Sequence, residues 1–136
     1  MAGEGREVRL LVHDSETDLI EAFRPLEAIA GIALEQTETL HDLIGAVRGC
    51  ELFIGNDSGP MHLANIYGKR TIILWGPGNY ERIRPLGTNN TILIKPISCR
   101  PCKQYIHPDR CERGINECLL RIAVKEVTGV VARSEQ

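Results

Sequence analysis

Residues 51–76 read ELFIG, NDSGPMHLANIYGKR and TIILWG, and this stretch decides the fold of the 136-residue chain. The two outer runs are short, rich in Ile, Phe and Trp, and bounded by Gly, Asn or Pro, which predicts two buried strands. The segment between them predicts a short helix. Pro60 restricts its predecessor to an extended backbone, so the helix is expected to begin at Pro60 with Gly59 as its N-cap. A glycine cap carries no side-chain oxygen, and the amides of Met61 and His62 are therefore expected to stay open at the carboxyl end of a strand. An anion such as phosphate suits that position, where the helix also presents the positive end of its dipole. Asp57 and Ser58 flank the same spot. A carboxylate repels phosphate but accepts hydrogen bonds from hydroxyls, so the pair fits a ligand with a phosphate and a polyol part, as in a nucleotide-sugar.

The same residues, FIGNDSGPMHLANIYGKRTIILWGP, closely resemble the signature of the family 9 glycosyltransferases, the ADP-heptose:lipopolysaccharide heptosyltransferases and their relatives. Residues 40–49 look like the helix before this strand in the family, 75–85 like the loop after the next one, and 118–131 like the closing helix. The likeness runs over roughly residues 8–132, and the block at 51–77 is its specific part. It implies the C-terminal, donor-binding lobe of a two-lobed GT-B enzyme, with the first strand and loop of that lobe not represented before Val8. It also implies an ADP-sugar donor, ADP-heptose being usual, bound by Asp57, Ser58, Gly59, Pro60, Met61 and His62. In the family an acidic residue near Glu16 helps hold the nucleotide, and the position of Glu38 lies where backbone groups meet the adenine. The general base and a basic residue that neutralises the diphosphate belong to parts of the enzyme outside this sequence, so no catalytic residue is assigned. Transfer is expected to need a separate acceptor lobe or polypeptide.

For several of these residues a plainer role competes. Glu16 also reads as an ordinary first-turn carboxylate. His62 reads as a core or capping residue, and Met61, Leu63, Ala64 and Ile66 as packing. Arg82 and Arg84 could fork onto a phosphate or simply decorate a loop. The family usually has a threonine after its Gly-Pro, where Gly78 stands here.

Length allows one domain with one core: residues 1–7 are expected to be disordered, 8–132 to form a single Rossmann-like unit and 133–136 to be a tail. Strands are expected at 8–12, 32–34 and 91–94 besides the two in the signature, joined by helices into a parallel, doubly wound α/β sheet whose ligand sits beyond the strands' carboxyl ends. Asp14 or Ser15 can cap the first helix, which presents Leu19, Ile20, Phe23 and Leu26 on one face and is kinked or ended by Pro25. Thr39 and Asp42 form a capping box for the second. Gly68 ends the helix of the signature, and Val124, Val127, Val130 and Val131 form the apolar side of the last one.

With 16 basic and 18 acidic residues, charge offers no case for nucleic acid or an anionic membrane surface. No apolar run reaches membrane-spanning length and the amino terminus lacks a signal-peptide core, so the expected location is cytoplasmic. Of the five cysteines, four follow the spacing Cys-x2-Cys-x8-Cys-x6-Cys from Cys99 through Cys102 and Cys111 to Cys118. Four thiolates can close a tetrahedral zinc site and clip a segment containing Pro96, Pro101, His107 and Pro108, although the second pair is not a standard knuckle. Reduced thiols or an incidental disulfide are the alternatives. No cofactor is required by the transferase reading; structural zinc, and with it a metal-binding interaction module, is the second reading. Cys50 reads as a small buried apolar residue.

Overall fold

The computed structural model describes residues 6–100, 102, 111 and 113–133. The chain divides into two compact units, Met1–Ala46 and Val47–Gln136.

In the first unit β1 (Val8–His13) pairs in parallel with β2 (Ile32–Thr37), in a register from Val8 opposite Ile32 to His13 opposite Thr37. The second strand runs three residues further than its apolar core because Glu35 and Gln36 continue the ladder, and buried Thr37 closes it by donating Oγ1–H to the Val12 carbonyl. Between the strands lies α1 (Thr17–Phe23), followed by a 3-10 turn over Arg24–Ala28 with Pro25 in its first turn. Pro25 thus ends the α-helix, as its missing N–H requires. Neither Asp14 nor Ser15 caps α1; both side chains are taken by Nδ1 of His13, and Glu16 occupies the N-cap position without a side-chain cap bond. Of the four apolar residues on the expected face, Ile20 is buried, whereas Leu19 and Leu26 are exposed.

The helix α2 (Leu40–Gly49) begins as the Thr-x-x-Asp spacing predicts. The Asp42 amide donates to Thr39 Oγ1 at 3.2 Å, and the Thr39 amide donates back to Asp42 Oδ2 at 2.9 Å. Bonding from the Thr39 hydroxyl, then from its amide, holds the Asp42 carboxyl below the ordinary value.

The second unit is built on three parallel strands in the order β3 (Leu52–Asn56), β4 (Arg70–Trp75), β5 (Asn90–Ile94). β4 is central and its apolar run is nearly continuous because both its faces are covered. Period-two alternation sorts its side chains. Ile73 and Trp75 pack with Met61, Phe53, Tyr80, Ile83 and Ile92 on one face, and Ile72 packs with Val130, Val131, Leu52, Leu93 and Val127 on the other. The first face is roofed by α3 (Gly59–Ile66) and the short α4 (Tyr80–Ile83), and the second by α6 (Val124–Arg133). α4 has no counterpart among the expected elements, since four residues are too few for a periodic signal. Before α6 comes α5 (Glu117–Leu120), so the closing segment is two helices rather than one, and Val124, at the start of the second, is exposed. α6 is tied to β5 by the ion pair of Lys95 with Glu126, whose carboxylate also accepts from the Ala123 amide.

All strand pairs are parallel, with helices alternating between them, so the α/β, Rossmann-like architecture expected from the sequence is present. Its strands are distributed over a two-stranded and a three-stranded sheet. Among the described residues no helix is long and apolar enough to cross a membrane.

Candidate functional site

β3 and β4 are parallel neighbours, with Asn56 opposite Leu74, so the turns that follow them emerge on one rim of the sheet. Asp57 and Ser58 leave β3 there, and Gly76, Pro77 and Gly78 leave β4. Parallel sheets bind ligands on this rim because helix N-termini and irregular backbone meet there.

The helix start differs by one residue from expectation. Ser58, extended at φ −157° and ψ 169°, is the N-cap; Gly59 is the first helical residue and Pro60 the second. The rule that a residue before proline avoids the helical region is a clash with its Cβ, and Gly59 has none. Ser58 Oγ makes no cap bond, but donates to the Asn56 carbonyl at 3.3 Å.

This shift also changes which amides are open. The His62 amide donates to the Ser58 carbonyl at 3.3 Å, completing the first helical turn, and Met61 is fully buried in the core. Neither can meet a ligand as the sequence suggested. The amides of Ser58 and Gly59 take their place: both residues are exposed, and no described residue accepts a hydrogen bond from either N–H. The open N–H groups at the start of α3 thus lie one step nearer the strand than expected.

Asp57 is the unusual residue of the rim. Its side chain is only 12 % exposed and faces His62, whose Nε2 lies 3.8 Å from Oδ1. That is too long for a hydrogen bond but close enough for charge attraction. Burial pushes the Asp57 carboxyl above its ordinary value, and His62 pulls it back only in part. The other wall is Gly78, where a Cβ would stand 1.9 Å from Asp57 Oδ2. Gly78 is therefore not a lost contact but the space in which this carboxylate sits. The sequence flagged the position as departing from the family's threonine, yet only the coordinates connect it with Asp57.

The loop is held from two sides. Trp75 Nε1 donates to the Gly78 carbonyl at 2.8 Å, and the Trp75 carbonyl accepts from Arg100 Nη2 at 2.7 Å. Tyr80 packs edge-on to Trp75, with ring centres 5.4 Å apart, and carries the Arg84 guanidinium 5.8 Å over its own ring. Arg84 is thus engaged with an aromatic face, while Arg82 is exposed on α4. Neither the Trp75 nor the Arg100 contact has a sequence signal, because both cross loops that carry no periodic pattern.

Glu16 and Glu38 belong to the first unit. Glu16 lies just past β1, at the N-cap position of α1 rather than in its first turn, and its Oε2 accepts from the His13 amide at 2.8 Å. Glu38 is exposed in the loop between β2 and α2.

The cysteine segment lies in the second unit. Cys99, Cys102, Cys111 and Cys118 line a common pocket, together with Arg100 and Arg113. No disulfide joins any of the five cysteines, and Cys50 is half-buried. Pro101, His107 and Pro108 lie outside the described residues.

The buried state of Asp57 makes a pH prediction. Charging this carboxyl is penalised in the fold and not in the unfolded chain, so its folded pKa is raised. Its contribution to stability is fully present below the unfolded pKa and is lost as pH rises through the folded one. Asp57→Asn, which cannot ionise, is expected to gain stability relative to the parent protein as pH rises through that window to neutrality. Urea denaturation at acid and neutral pH measures this; a gain in the opposite direction would show that attraction to His62 outweighs burial.

A family model described as glycosyltransferase family 9 (heptosyltransferase) matches residues 2–111. Among curated proteins, the chain is 35% identical over 90 residues to a lipooligosaccharide heptosyltransferase 2 of Campylobacter jejuni subsp. jejuni serotype O:6, covering 65% of this chain and 28% of that protein. With the protein of the same description from serotype O:2 it shares 37% identity over 71 residues, covering 52% of this chain and 22% of the relative. The chain thus matches less than a third of the length of either relative. A crystal structure of a glycosyl transferase family 9 protein from Veillonella parvula DSM 2008 superposes with a TM-score of 0.75 at 22% identity, over 95% of this chain and 36% of that one. This likeness speaks for the fold.

Proposed function

Since the chain belongs to glycosyltransferase family 9, we propose that its second unit binds the diphosphate of an ADP-sugar of the ADP-heptose type at the start of α3. The observation that carries the reading is the pair of open, exposed amides at Ser58 and Gly59 on the carboxyl rim of parallel strands. Two N–H donors and the positive end of α3 favour phosphate oxygens. The half-exposed His62 ring lines the same turn, and Arg82 on α4 supplies a further positive charge near the rim. Asp57 accepts from sugar hydroxyls rather than meeting phosphate, its carboxylate held back by the walls described above. Glu16 and Glu38 are assigned to the nucleotide only through the family resemblance.

Transfer itself is assigned to the whole enzyme. The match to under a third of each heptosyltransferase relative supports a donor-binding portion that needs an acceptor lobe or a partner polypeptide carrying the general base. The chain alone is expected to bind ADP weakly and to transfer little or no sugar. Isothermal calorimetry with ADP, AMP and adenosine tests this: affinity is expected to rise from adenosine to ADP and to weaken with salt. Equal affinity for adenosine and ADP, or no heat at millimolar ADP, contradicts a diphosphate site.

A further inference from the structure

The transferase reading makes no use of the cysteine pocket. We propose that Cys99, Cys102, Cys111 and Cys118 form a structural site for a soft divalent cation, zinc, in the pocket they line with Gly76 and Pro77.

Two observations converge on it. The first is spacing: Cys99 and Cys102 are separated by two residues, as in a knuckle that places two sulfurs on one ion. The second is convergence. Eight residues separate Cys102 from Cys111 and six separate Cys111 from Cys118, yet the fold brings all four to the same pocket. Cys118 is carried there on α5, and Cys99 and Cys102 on the chain leaving β5.

The surroundings suit a thiolate site. Zinc binding by four thiols releases their protons to solvent and leaves a centre of net charge −2, which needs nearby positive charge. Arg100 and Arg113 line the same pocket, and Arg100 Nε is buried with no hydrogen-bond partner among the described residues. A metal-bound sulfur is an acceptor for such a donor. Arg113 bonds Ser98 Oγ at 2.9 Å and pairs with Glu117. Oxygen-seeking ions such as magnesium or calcium are disfavoured by an all-sulfur set.

The four sulfurs share the pocket without being gathered around one point. Among the described residues no three His, Cys, Asp or Glu side chains stand as a ready ligand set, and the Cys111 thiol donates to the Ile115 carbonyl at 2.9 Å. Metal binding therefore turns the Cys111 thiol from that carbonyl into the pocket. The ion binds the folded chain and not the unfolded one, so its binding stabilises the fold.

Cobalt reports the site directly. The purified chain, reduced and titrated anaerobically with cobalt without nucleotide, is expected to take up one ion per chain. Binding should give thiolate-to-cobalt charge transfer in the near ultraviolet, intense visible bands of a tetrahedral centre, and displacement by zinc. Cys102→Ser and Cys111→Ser are each expected to weaken the ion by roughly tenfold or more, whereas Cys50→Ser leaves the bands unchanged. Absence of thiolate bands while circular dichroism shows folded protein overturns the proposal. So do full-strength bands in both serine variants, an iron–sulfur chromophore in the protein as isolated, or a Cys99–Cys102 disulfide that persists under reductant. The readout needs no ADP, so its failure is separate from failure of the nucleotide site.

Discussion

Trp75→Ala is expected to lower the stability of the second unit by about 3–5 kcal/mol, the usual range for deleting a fully buried large aromatic. The ring is 0% exposed and lies in one cluster with Met61 and Ile73, so its removal leaves a cavity that three rigid elements cannot all collapse to fill. It also frees the Gly78 carbonyl, which loses its 2.8 Å partner inside the protein. Against the roughly 5–15 kcal/mol by which domains are stable, that loss leaves the variant near its unfolding threshold. Trp75→Phe separates the two contributions. It keeps a ring in the core but leaves the same carbonyl unbonded, for an expected loss of about 1–3 kcal/mol. Both are measured by urea denaturation followed by far-ultraviolet circular dichroism, since this is the only tryptophan in the chain. A loss below about 1 kcal/mol for the alanine variant would contradict the described packing.

Gly78→Val is expected to disable the rim while leaving the sheet beneath it folded. Even the first carbon of the new side chain would stand 1.9 Å from Asp57 Oδ2 and 3.3 Å from Ile83 Cδ1, so the carboxylate must leave its recess. Overpacking of this kind typically destabilises by about 1–3 kcal/mol. Two site-specific changes accompany it. The Asp57 carboxyl, raised by burial in the parent protein, falls back toward its ordinary value once it reaches water, a change read by carbon NMR titration. Affinity for the ADP-sugar is expected to fall roughly tenfold, or about 1.4 kcal/mol, with a smaller effect on ADP, which lacks the sugar hydroxyls assigned to Asp57. Gly59→Ala tests the helix start instead: beyond its chain neighbours nothing stands within 4 Å of a Cβ there, but the new methyl meets the ring of Pro60, so a loss of about 1 kcal/mol is expected. An unchanged Asp57 titration in Gly78→Val would show that the two residues are not coupled.

The parts of the fold that could be read from sequence are those governed by strong local rules. β4 announced itself through TIILW, an apolar run that makes sense only for a strand covered on both faces. Thr39 and Asp42 form the reciprocal bonds their spacing implied, and Gly68, at φ 67°, ends α3 where a left-handed residue was needed. Where two local rules competed, the sequence misplaced the boundary. Before Pro60 the rule for proline predecessors yielded to the permissiveness of Gly59, the helix began one residue early, and the open amides moved from Met61 and His62 to Ser58 and Gly59.

Other features depend on residues distant in sequence and had no local signal. Asp57 is set by Gly78, and Gly78 by Trp75; Trp75 is in turn held through its carbonyl by Arg100. The Gly in place of the family's threonine hinted that something differed there, but not that a carboxylate fills the space. Apolar periodicity likewise placed Leu19, Leu26 and Val124 on covered faces, although each is exposed. Periodicity fixes which side chains share a face, not how far the neighbouring element extends over it.

The central claim is that the first backbone N–H groups of α3 hold a diphosphate, and amide-resolved NMR with added ADP tests it most directly. The Ser58 and Gly59 cross-peaks are expected to move together and to saturate on one binding curve, with Leu86, fully exposed on the loop before β5, unmoved. If both amides stay still at millimolar ADP while the rest of the spectrum shows folded protein, the start of α3 is not the phosphate site.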